Sequence, residues 1–207
     1  MGNHQAFRDA LLQAIQNHDR VGAVSMATDA LAVRSMPIAA LYDMLSGFLV
    51  EIGSAWQTGN AEVWQEHLAT GIVRNIVEAC TLDVAEQAPD PRACVVLAAP
   101  DDEYHELGLR LLADRFSLAG WRAHFLGASL PVEEAVAAVG ELRADAVALS
   151  ASTHFHRLAL KTYVAGLATA HPGLRVWVGG AAFAREHVGW PDDMVLDPGS
   201  VPAAGEA

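Results

Sequence analysis

A four-helix bundle followed by a doubly wound sheet of five parallel strands is the α/β fold that the sequence predicts. Three observations carry it. Apolar residues recur at spacings of three and four through residues 1–87, the period of helices with one buried stripe. From residue 93 onward, short apolar runs alternate with helical segments, the pattern of a parallel sheet covered on both faces. Between them "APDPR" at 88–92 changes the texture and reads as a linker, so the domains are placed at 1–87 and 88–207.

In the first half, "FRDALLQAI" puts Phe7, Leu11, Leu12 and Ile15 on one helix face. "VGAVSMATDALAV" continues as a second helix after the polar break Asn17–Arg20. The third, 36–56, is the clearest, with Ile38, Leu41, Leu45, Phe48 and Ile52 in register. "QTGN" interrupts it, and Asn60 is placed to cap a fourth helix running to about Glu86. Short turns between such helices make an antiparallel bundle.

In the second half, "ACVVLAA" (93–99) is a buried strand followed by a helix over 106–119. "RAHFLG" (122–127) is a strand, with a helix from Pro131 to Leu142. "AVALS" (146–150) and "RVWVGG" (175–180) are strands around a helix at 156–170. A short helix at 181–188 and a last strand "MVL" at 194–196 complete the sheet, and the tail "PGSVPAAGEA" reads as frayed.

Composition narrows the partners. Apolar residues make up 52 % of 207, enough for a substantial core, and charged residues only 18 %, too few for wholesale disorder. No run of 18 apolar residues is present, so no membrane span is expected, and the N-terminus lacks a secretory pattern. Cys80 and Cys94 sit in apolar runs and read as reduced core thiols of a cytoplasmic protein. The net charge is −12, and Lys161 is the single lysine. Such a surface repels a phosphate backbone, so direct nucleic-acid binding is not expected. The partner is a small molecule or another protein.

Ligands of doubly wound sheets sit outside the carboxyl ends of the strands. Those ends carry Asp101, Asp102, Glu103 and His105; Gly127 to Ser129; Ser150 to Thr153; and Gly179–Gly180. This is a rim of small polar groups with one imidazole. A phospho-acceptor receiver needs an aspartate after strand three, where Ser150 stands instead. The first strand-to-helix turn also lacks the G-x-G-x-x-G dinucleotide fingerprint.

The spacing along this rim carries a resemblance. Glu103-x-His105-x-x-Gly108, 41 residues, Ser150-x-Ser152, 26 residues and Gly179–Gly180 resemble the signature of cobalamin-binding domains, with Ser152 where threonine is commoner. The resemblance implies a flavodoxin/Rossmann-like cobalamin-binding fold. It implies that His105 is the metal ligand, bound to cobalt from below in place of the cofactor's own base. Glu103 would hold the other ring nitrogen, Gly108 would let the displaced nucleotide tail pass, Ser150 and Ser152 would bond the tail, and Gly179–Gly180 would leave it room.

The bundle adds a second resemblance. Trp56, nine residues, then Glu66–His67 is similar to the Trp-x9-Glu-His motif of the light-sensing CarH/LitR group, in which the bundle covers the upper face of adenosylcobalamin. By that likeness Trp56, Glu66 and His67 enclose the upper ligand, with adenosylcobalamin as cofactor and methylcobalamin as the alternative form. Two departures stand out. Gln57 follows the tryptophan where that group has a histidine, and the chain begins at the bundle rather than at a MerR-like DNA-binding module. The architecture resembles stand-alone cobalamin regulators of the AerR kind. The function implied is a non-enzymatic light sensor that signals to a transcription regulator or by self-association. The rival is a corrinoid methyl carrier of a methyltransferase system. Trp64 is read as packing, and His154 and His156 as facing the corrin edge or solvent. His4, His18, His124, His171 and His187 carry no motif and are read as structural or surface.

Overall fold

The computed structural model describes residues 2–184 and 189–205, the side chains of residues 2 and 3 excepted. The chain divides into two compact units, Met1–Glu86 and Gln87–Ala207.

The first unit is helical throughout: α1 (Gly2–Gln16), α2 (Arg20–Ala32), α3 (Ile38–Gln57), α4 (Val63–Ala79) and α5 (Thr81–Gln87). The expected fourth helix is therefore two helices, broken at the buried Cys80. Its start also differs. Asn60 is not the cap; its side-chain amide donates to the Thr58 hydroxyl at 2.9 Å. Glu62 takes the cap position, and a capping box joins it to Gln65, whose side chain accepts the Glu62 N–H at 2.8 Å. The reciprocal box satisfies two orphan amides at once, which a lone asparagine two residues earlier does not. α2 begins at Asp19, whose carboxylate accepts the Gly22 N–H at 2.9 Å.

Leu11, Ile15, Leu41, Tyr42, Leu45, Ile72, Val73 and Ile76 make the core of this unit. α2 contributes mainly small side chains, Ala23, Ala27 and Ala30, which let its neighbours α1 and α4 approach closely. α3 meets the length and composition of a membrane-crossing helix, although no 18-residue uninterrupted apolar run is present. Its buried residues form a single stripe, while Asp43 and Glu51 are exposed, as in a bundle helix.

The second unit begins with β1 (Ala93–Pro100), α6 (Leu107–Leu118), β2 (Trp121–Leu130) and α7 (Val132–Leu142). It continues with β3 (Ala146–Ser150), α8 (His154–Ala170) and β4 (Arg175–Gly179). The strands pair in parallel in the order β2-β1-β3-β4. Among the described residues the sheet has four strands rather than the expected five. "MVL" forms only one parallel bridge, Val195 with Val178, and a single bond from Leu196 N–H to the Val178 carbonyl at 2.9 Å. A 3-10 turn at Asp192–Met194 precedes it, and Pro198, which has no N–H, follows one residue later. The ladder has no length in which to grow. The expected helix at 181–188 is a 3-10 turn at Ala181–Phe183, and residues 185–188, His187 among them, lie outside the described residues.

One face of the sheet buries Val95, Leu97, Ala146, Ala148 and Trp177 with Leu109 and Phe116 of α6. The other buries Val96, Ala98, Val147 and Leu149 with α7 and α8. The tail is docked rather than frayed as far as it is described. The Trp121 indole donates to the Pro202 carbonyl at 2.8 Å, and Ala204 N–H to that of Ala119 at 3.0 Å. The two cysteines are buried and free, and burial, the largest influence, pushes the Cys94 thiol up.

Candidate cofactor site

β1 runs out at Pro100, and the chain must turn before α6 begins. Asp102 takes a left-handed conformation, φ 63°, which a short acidic residue tolerates better than most. Its N–H is bonded to the Ser129 hydroxyl at 3.1 Å, and Ser129 N–H returns a bond to the Glu103 carbonyl at 3.0 Å. The loop is thus strapped to the carboxyl end of β2. The strap fixes Glu103, whose side chain is completely buried.

The Glu103 carboxylate is the hub of the rim. Oε1 accepts the His105 backbone N–H at 2.9 Å and lies 2.7 Å from His105 Nδ1. Oε2 accepts the Ser152 N–H and the Ser152 hydroxyl, each at 2.6 Å, and lies 2.8 Å from His156 Nδ1. Burial works to raise the pKa of this acid. The bonds from the Ser152 hydroxyl, the His105 and Ser152 amides and the His105 ring outweigh it and hold the carboxyl down at about 2. Near neutral pH the group is an acceptor only, so each ring nitrogen facing it carries the proton. That sets the tautomer of a neutral His105: Nδ1–H toward Glu103 and a free lone pair on Nε2. The His105 side chain is 70 % exposed, so this lone pair belongs to an accessible imidazole anchored by a buried base. A metal-binding histidine is commonly held in this way.

The other rim residues fall as follows. Gly108 lies in the first turn of α6, and a Cβ there would meet nothing within 4 Å, so the space beside it is open. Ser150 ends β3 opposite Gly179. Gly180 is required by the chain itself, whereas a side chain at Gly179 would make an ordinary contact. A Cβ on Gly179 would come to 3.4 Å from the Leu196 carbonyl. One on Gly180, at φ 96°, would collide with the Ala151 carbonyl at 2.4 Å. Glu106, not singled out from the sequence, accepts the Ala128 N–H at 2.9 Å and fixes the end of β2 beside the left-handed Gly127.

His156 is turned away from solvent: its side chain is 13 % exposed, with Nδ1 against Glu103. Thr153 caps α8 and accepts the His156 N–H at 3.2 Å, which turns the third helical residue back toward the strand ends. Thr-x-x-His straight after Ser-x-Ser was the available signal. His154 differs; its Nδ1 lies 2.9 Å from an Arg157 nitrogen.

In the helical unit, Trp56 lies in the last turn of α3 and is 44 % exposed. The turn after it is tight: Gly59 N–H bonds the Trp56 carbonyl at 3.0 Å and Asn60 N–H that of Ala55 at 2.7 Å. Glu66 closes the first turn of α4, and its Oε1 accepts the Thr70 hydroxyl at 2.7 Å. His67 Nε2 lies 3.5 Å from Glu66 Oε2, with the imidazole 75 % exposed. Trp64 sets its ring against His18 at 5.6 Å and stays largely exposed. Trp56, Val63, Trp64 and Leu68 thus leave apolar surface uncovered around the α3–α4 turn.

The profile of the B12 binding domain matches residues 93–204, the whole sheet and its rim. The chain belongs to the B12-binding domain family. A second profile of the same description matches residues 7–81. Over 185 residues, 88 % of this chain, it is 35 % identical to the transcriptional repressor CarH of Myxococcus xanthus. Over 90 residues, 43 % of this chain, it is 38 % identical to the repressor CarA of the same organism. The chain spans about 60 % of the length of CarH and about 30 % of that of CarA. In fold it is similar to the monomethylamine corrinoid protein of Methanosarcina barkeri. The TM-score is 0.76 over 93 % of this chain and 91 % of that one, at 19 % identity. By family this is a cobalamin-binding protein.

The residues present fit that cofactor. An exposed imidazole with its lone pair directed by a buried carboxylate suits a lower cobalt ligand, and the open space beside Gly108 suits a bulky tail.

Proposed function

We propose that this B12-binding protein is a light sensor, with residues 1–87 covering the upper face of the cofactor and 88–207 holding it from below. The likeness to CarH across both units is the observation that supports this reading most. A bound alkylcobalamin supplies a weak, light-labile cobalt–carbon bond. The chain supplies the grip and the response. His105 is the metal ligand, Glu103 its anchor, and Ser150, Ser152, Gly108, Gly179 and Gly180 line the path of the nucleotide tail. Trp56 offers a flat apolar cover, and Glu66 and His67 offer an acceptor and a ring nitrogen to a ribose or adenine, so adenosylcobalamin is the preferred form.

Trp56 and its neighbours would be covered while the upper group is in place, and without it the bundle would re-pack to bury them. The re-packed surface signals to a protein partner, a transcription regulator in the cytoplasm, rather than to nucleic acid directly, because the net charge is −12. Gln57 takes no part as a cobalt ligand.

The test is illumination. The protein is loaded with adenosylcobalamin or methylcobalamin in darkness, and its spectrum and size-exclusion profile are recorded before and after light. A light-dependent change in elution, larger with the adenosyl form, is expected. An unchanged profile together with methyl transfer to a thiol acceptor would instead identify a methyl carrier.

A further inference from the structure

Five contacts converge on the buried Glu103, and one of them lies outside the spacing signature by which the rim was recognised. His156 Nδ1 lies 2.8 Å from Glu103 Oε2, while His105 Nδ1 lies 2.7 Å from Oε1. One carboxylate therefore stands between two imidazoles. Each must donate, because the carboxylate accepts only. We infer that His156 is a positioning residue that shares Glu103 with His105 and thereby limits how strongly His105 donates to cobalt.

The physical reason is competition for one charge. A ligating histidine becomes a better donor when its far nitrogen is bonded to a carboxylate with charge to spare. Every further donor on that carboxylate draws charge away from the bond to His105. Ser152 already contributes its amide and its hydroxyl. His156 can be removed without orphaning the acid, since Oε2 keeps both Ser152 bonds. Its own place does not depend on Glu103 alone. Its N–H is tied to the Thr153 cap at 3.2 Å, its Nδ1 also lies 3.0 Å from Thr153 Oγ1, and the Phe155 ring stands edge-on at 5.6 Å. A weaker lower ligand eases release from the lower face, so the device sets how firmly the cofactor is retained once its upper group has gone.

This rests on the reading of His105 as the lower ligand, and the test separates the two. In the protein without cobalamin, the Nδ1–H resonance of His105 is followed by NMR in wild type, His156→Phe and His156→Asn. The phenyl variant, which cannot donate, should move the resonance downfield as the His105–Glu103 bond strengthens. The asparagine variant, whose amide replaces Nδ1–H, should return it toward wild type. His156→Leu serves if the phenyl ring perturbs α8. An unchanged resonance in the non-donating variants, or loss of the resonance as if Glu103 had come free, would overturn the inference. With hydroxocobalamin bound, the non-donating variants should release the pigment up to about tenfold more slowly, at the low end of the effects of partners of metal-bound histidines, and His156→Asn should release it as wild type does. Release from the non-donating variants as fast as or faster than from wild type overturns the inference too. A normal NMR response with no imidazole-bound spectrum in any variant would count against His105 as ligand and leave the sharing of Glu103 standing.

Discussion

The rim around Glu103 and the α3–α4 end of the bundle are built on opposite principles. At the rim, a fully buried acid is bonded by two loop residues and one from the first turn of α8, and one accessible imidazole is the product. At the bundle end, Trp56 is 44 % exposed and the His67 imidazole 75 %, and among the described residues Glu66 is bonded only within its own helix. The first is organised before any ligand arrives; the second leaves apolar surface that a ligand can cover. The proposed function asks for a rigid holder and a sensing surface free to re-pack, and the contrast is consistent with that proposal.

The comparison can be broken first at His105. His105→Ala should abolish the imidazole-bound absorption bands of the loaded protein while leaving the fold intact, because the side chain is largely exposed. Visible spectra beside thermal melts decide this. Next comes Glu103→Gln, which places two amide hydrogens where donors already converge. It should cost about 3 kcal/mol in chemical denaturation and about 10- to 100-fold in cobalamin affinity.

The same carboxyl gives a pH signature. Its pKa is about 2 in the folded chain against an ordinary 4.5, so the stability it contributes is present above pH 4.5 and is lost as the pH falls toward 2. Acid titration of the wild type should show this component, and Glu103→Gln should lack it. Gly180→Ala should destabilise the sheet unit by about 2 kcal/mol, since a methyl group there meets the Ala151 carbonyl at φ 96°.

The bundle end should behave differently. Trp56→Ala is expected to change stability by less than about 1 kcal/mol yet to hasten loss of adenosylcobalamin in darkness, with His105 coordination unchanged. Equal retention by both proteins would remove the indole from the cap. His67→Ala should move stability by no more than about 0.5 kcal/mol, and the effect on dark retention should be smaller than that of Trp56→Ala. A large loss of stability from either would mean that this end is preorganised too, and the contrast would fail.

Much of this was legible in the chain. Helical period, strand alternation and the spacing from Glu103 to Gly180 are local or fixed-distance features, and they survive because buried stripes and strand ends leave few alternatives. The errors lie where turn geometry that apolar pattern does not encode, or a long-range contact, decides. Whether "MVL" adds a strand depends on the 3-10 turn before it and the proline after it. Whether the tail frays depends on a carbonyl meeting Trp121 across 81 residues.

What the sequence by itself determined was the order of elements, the identity of the rim and the family, since apolar periodicity and the intervals between small polar residues are properties of the chain alone. Only the tertiary structure decided that Glu103 is wholly buried, that it is held down to a pKa of about 2, and that His156 shares it with His105. The reason is that a carboxylate's charge is set by every donor that folding brings within about 3 Å of it, and here those donors come from two strand-to-helix connections, the second including the first turn of α8, about 50 residues apart.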